Sequence, residues 1–154
     1  MRRRALPTLA MVAALVASVG GAPARADDTA PAKARFRTVA IELEVGDRGL
    51  AAYQVELVVR AGDASIVGVE GGAAAGFTAP PYYDPAALYA GRIVLAAFNT
   101  KASLKKGRHR VAVVHVREFG SSPSYTVEVV AAAAADGVRV RVRAFLVDAK
   151  GVKP

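Results

Sequence analysis

Apolar side chains recur at every second position through most of this chain, and that spacing limits the fold more than any other feature. Val39, Ile41, Leu43 and Val45 alternate with Glu42 and Glu44. Tyr53, Val55, Leu57 and Val59 oppose Ala52, Gln54, Glu56 and Arg60, and Val138, Val140 and Val142 oppose Arg139, Arg141 and Arg143. A period of two puts successive side chains on opposite faces of a β-strand. A strand with one dry face must lie against a second apolar layer.

Seven strands follow from this pattern, over residues 36–45, 50–60, 65–70, 92–99, 108–119, 125–133 and 138–147. The segments 92–99 and 108–119 are apolar on both faces, which predicts central places in a sheet. Gly46-Asp47-Arg48-Gly49 and Asp136-Gly137 carry hairpin chemistry, while Ala61-Gly62-Asp63 and Gly120-Ser121-Ser122-Pro123 break the pattern. Pro80, Pro81 and Pro85 exclude a central strand and allow a short helical turn over 85–89. The Ala131–Ala135 run is too short to nucleate a helix. The expectation is an all-β fold, a two-sheet antiparallel sandwich of about seven to nine strands.

Arg2, Arg3 and Arg4 precede an uncharged apolar run, and Ala24-Arg25-Ala26 has the small-x-small form of a signal-peptidase site. Residues 1–26 are therefore predicted to be a signal peptide, with cleavage before Asp27, 27–35 a flexible tether, 36–148 the folded domain and 149–154 a frayed end. A secreted or periplasmic location follows, with no membrane span after cleavage. Four of the 21 basic residues leave with that segment, so 17 remain against 13 acidic ones, a net of +4 instead of +8. Nucleic acid is not expected as a partner on so mild a charge. The chain has no cysteine and so neither disulfide nor thiolate metal site.

The unit Gly49-Leu50-Ala51, Tyr53–Val59, Ile66-Val67-Gly68-Val69 and Gly71-Gly72 resembles part of a cohesin domain, as do 93–98, 107–117 and the final hairpin 136–147. The resemblance spans residues 36–147. It implies a secreted jelly-roll sandwich without catalytic activity that binds a dockerin-like protein through a sheet face. The Tyr-Asp-Pro of cohesins stands here as Val59-Arg60-Ala61, and the outer positions that would meet dockerin are Ala52 and Gln54.

Candidate contacts on that face are Gln54 and Glu56. Tyr82, Tyr83 and Asp84 lie in a loop holding three of the five tyrosines, whose rigid rings and polar tips suit a sugar or a protein anchor. The blander reading is a loop covering the end of the core. Arg139, Arg141 and Arg143 stand about 7 Å apart along one strand face and could meet an anionic polysaccharide, a lipid headgroup or an acidic protein, or simply protect an edge by charge. His109 and His115 lie about 20 Å apart along one predicted strand and cannot share a metal; His115, among apolar neighbours, reads as a core histidine. Glu70 and Asp84 are a conceivable carboxylate pair that nothing in the sequence brings together, and no Gly-x-Ser-x-Gly elbow occurs. No enzyme, metal or cofactor is expected. The functional expectation is an exported binding module for a protein partner or an extracellular polysaccharide, with a structural envelope protein associating through sheet edges as the alternative.

Overall fold

A computed structural model describes residues 33–149. The predicted signal peptide, most of the tether and residues 150–154 lie outside them. Five antiparallel strands form one hydrogen-bonded sheet: β1 (Arg35–Val45), β2 (Ala52–Gly71), β3 (Arg92–Phe98), β4 (Gly107–Ala133) and β5 (Val142–Asp148), in the order β3-β2-β4-β1-β5. The one helical element described is a 3-10 turn at Pro85–Ala87, where Pro85 was expected to start one.

Seven predicted strands become five because two of the predicted breaks are bulges. Ala61 pairs with Ser124 and Asp63 with Phe119, so Gly62 faces the four residues 120–123 without ending either strand. Gly62 has φ +83°, and a Cβ there would stand 2.8 Å from the Cα of Pro123, so glycine is required. Further shifts of register at Val59/Ala61, Ile66/Gly68 and Gln54/Val55 add kinks along the same pair. Bulges bend a strand and increase its twist.

The accumulated bend doubles the sheet over. A straight strand from Tyr53 to Gly71 would span about 60 Å. Instead the Tyr53 hydroxyl donates to the carbonyl of Val111 at 3.1 Å, and Val111 adjoins Ala112, the partner of Gly71. The two ends of β2 therefore face each other across the core. One layer holds β3 with the first half of β2 and the last half of β4; the other holds the remaining halves with β1 and β5. Between them lie Ile41, Leu43, Val55, Leu57, Ile66, Ile93, Leu95, Val111 and Val114, all essentially inaccessible. Phe77 closes one end of the core against Tyr53, with ring centroids 5.4 Å apart.

Three other expectations are corrected. Gly46-Asp47-Arg48-Gly49 turns, with Gly49 N–H on the Gly46 carbonyl at 3.2 Å, but β1 and β2 do not pair, because the chain crosses here to the other layer and Leu50 bridges Leu104. The Asp136-Gly137 hairpin holds for only a few residues, through the Ala133–Arg139 bridge, before the chain leaves to join β1 as β5. Segment 92–99 is an edge strand, not a central one. Its second apolar face has another use.

Candidate functional site

Cross-strand pairing sets out that outer face row by row. Phe98 pairs with Ala52, Ala52 with Ala133 and Ala133 with Arg139; in the next row Tyr82 bridges Ala96, which pairs with Gln54, and Gln54 with Ala131. Four alanines and one glutamine thus floor a groove of about 530 Å³. One wall is Tyr82 and Phe98, whose rings lie 6.1 Å apart and within 10° of parallel while remaining 71% and 63% exposed. Arg139 and the turn at Gly137 form the opposite wall. Val130, pushed out by the bulge at Gln54/Val55, and Val138 extend the exposed apolar surface near Arg139.

Tyr82 holds its place through the backbone. Its N–H donates to the Ala96 carbonyl at 2.7 Å, and its own carbonyl accepts from Ala96 N–H at 2.9 Å. Two prolines before it prevent the loop from extending this pairing.

Of the residues singled out in the sequence, the fold brings Gln54, Tyr82 and Arg139 together at this groove. The others go elsewhere. Glu56 is ion-paired with Arg92. Tyr83 packs against the core, and the Asp84 carboxylate caps the 3-10 turn by accepting from Ala86 N–H at 2.9 Å. Arg143 donates to Glu44 at 2.8 Å and lies over Phe145. Arg139 and Arg141 form no ion pair among the described residues. Ala52 is legible in the sequence as an outer-face position beside Gln54, whereas Phe98, Ala96, Ala131 and Ala133 escape sequence reading; the one signal for Phe98 and Ala96 is that 92–99 is apolar on both faces.

A second region is chemically opposite. At one end of the core, inward-facing positions carry Arg35, Arg37, Glu118, Tyr125 and Asp148. Glu118 is 1% exposed. It accepts from Arg35 at 2.9 Å and from the Tyr125 hydroxyl at 2.6 Å, with Arg37 at 3.5 Å; Arg37 also reaches Asp148 at 3.6 Å. Burial, and then the hydrogen bond and charge of Glu118, push the Tyr125 hydroxyl well above its ordinary titration range. The cleft beside this cluster, about 650 Å³, contains converging polar groups, but its carboxylates are held in ion pairs.

His115 corrects its sequence reading: it faces outward and partly exposed, with Nε2 2.9 Å from Glu70, so Glu70 meets His115 instead of Asp84. Thr38 Oγ1 lies 3.5 Å from the other ring nitrogen, at the long end of a hydrogen bond. No group of three metal-ligating side chains occurs among the described residues, and no described helix is long and apolar enough to cross a membrane. A scan against protein-family models and searches of curated proteins and of solved structures find no match.

Proposed function

We propose that this chain is an exported, non-catalytic binding module that takes a protein partner on the outer face of β3, β2 and β4. One observation carries the reading: two large aromatic rings stand exposed and parallel beside a floor of alanines. Apolar surface gathered in this way is unfavourable in water unless a partner covers it. Aromatic anchors with a polar rim are the ordinary composition of a protein interface. The groove crosses three strand spacings from Phe98 to Arg139, about 14 Å. A helix with its side chains is about 10–12 Å across and fits that width.

The facing layers support a sandwich of the cohesin type in outline, although long continuous strands replace the separate ones of a jelly roll. A dockerin-like partner is thus a partner class and not an identity. The parallel rings favour one second reading, stacking on an extracellular polysaccharide. Against it, a sugar laid on four alanines would leave many hydroxyls unpaired, with only Gln54 at the centre to receive them. Self-association through the edges of β3 and β5 remains the structural alternative.

The test is capture of exported proteins by the full chain and by a Tyr82→Ala/Phe98→Ala variant, with bound partners identified. Partners held by the parent and lost by the variant support the reading. Equal capture by both would remove the groove from consideration.

A further inference from the structure

Resting on that reading, we infer that the partner carries acidic side chains along the border of its apolar face that meets Arg139 and Arg141. The charges around the groove are unevenly satisfied. One row beyond Gln54 at the end of the groove, Glu56 of β2 and Glu128 of β4 face each other, and each has its own cation: Glu56 is paired with Arg92, and Glu128 lies 3.5 Å from Arg60. On the side opposite the rings, Arg139 and Arg141 stand exposed in the connection between β4 and β5 with no carboxylate within reach among the described residues.

The neighbouring cations behave differently. Arg108 and Arg110 share Glu42, Arg143 holds Glu44, Lys106 meets Asp47 and Arg48 meets Asp136. Arg139 lines the aromatic groove and two adjoining depressions, and Arg141 lines both of those depressions and a third. The two guanidiniums therefore continue one wall of the groove. Arginine presents a planar fork of donors that accepts a carboxylate with two parallel hydrogen bonds. A partner with carboxylates there gains both approach rate and register; one with cations there is repelled.

The probe is a library of three-helix-bundle variants randomised on one helical face, selected against the full chain. Selected clones should be richer in Asp and Glu than the starting library. They should bind an Arg139→Gln/Arg141→Gln variant about tenfold more weakly, a gap that narrows as salt screens the charges. Clones of neutral or basic composition, or clones indifferent to that variant, would overturn the acidic border while leaving the groove in place. Clones that still bind Tyr82→Ala/Phe98→Ala would overturn the groove itself. Retention of the parent chain by polygalacturonate in gel electrophoresis, lost in the aromatic variant, would assign the face to an acidic glycan and overturn both.

Discussion

Two regions of this molecule reverse the usual placement of side chains, and they do so in opposite ways. At one end of the core, charged residues point inward; on the outer face of β3, β2 and β4, aromatic and aliphatic residues point outward. The inward charges are matched within the chain: Glu118 has two arginines and a tyrosine hydroxyl, and Arg37 also reaches Asp148. The outward rings have each other and water. A reversal whose charges are paired within the chain belongs to stability. One left unsatisfied awaits something from outside.

Substitutions should separate the two. Glu118→Ala leaves Arg35 without its carboxylate and Arg37 with Asp148 alone, and removing one partner of a buried pair costs several kcal/mol. Because Arg35 is half-exposed and can be rehydrated, the expected loss is about 3 kcal/mol in urea unfolding, at the low end for such pairs. A loss below about 1 kcal/mol would place this cluster with ordinary surface ion pairs and erase the contrast.

Tyr125→Phe removes one hydrogen bond to a charged acceptor and should cost about 1.5–2 kcal/mol. It should also change the alkaline limb of stability. Both Tyr53 and Tyr125 are raised above the ordinary tyrosine value of 10.0 on folding. The folded state therefore keeps its protons where the unfolded chain releases them. That contribution is complete below about pH 10 and declines as pH rises from there toward the folded values. Unfolding midpoints between neutral and strongly alkaline pH should show a shallower decline for Tyr125→Phe than for the parent. Identical slopes would mean that this hydroxyl titrates as it does in the unfolded chain.

The groove should respond in the other sense. Tyr82→Ala should cost about 0.5–1 kcal/mol of stability, the worth of an aromatic pair, while abolishing most partner binding. Ala131→Trp fills the floor without touching the core, so its stability should stay within about 0.5 kcal/mol of the parent and its partner should be excluded. If either change destabilised as Glu118→Ala does, the rings would be structural and the distinction between the regions would fail.

The legibility of the two regions in the sequence differs for a physical reason. Tyr82, Gln54 and Arg139 could be singled out because residue type and alternation mark an exposed aromatic, an outer-face amide and a charged edge. Phe98 and Ala96 could not, since apolarity on both faces reads equally as a central strand. Arg35, Arg37, Glu118 and Tyr125 were not singled out, because alternation reports which residues share a face and is silent on which faces meet.

By itself, the sequence determined the β-rich character of the fold, the inward rows of Val, Ile and Leu and the proline-bounded loop that carries Tyr82, all of which depend on neighbours a few residues apart. Only the tertiary structure decided that Gly62 and 120–123 bend the strands instead of ending them, that the sheet doubles over and that 92–99 lies at an edge. Those outcomes depend on which distant backbones exchange hydrogen bonds, and Ala61 pairing with Ser124 is a choice that no local spacing encodes.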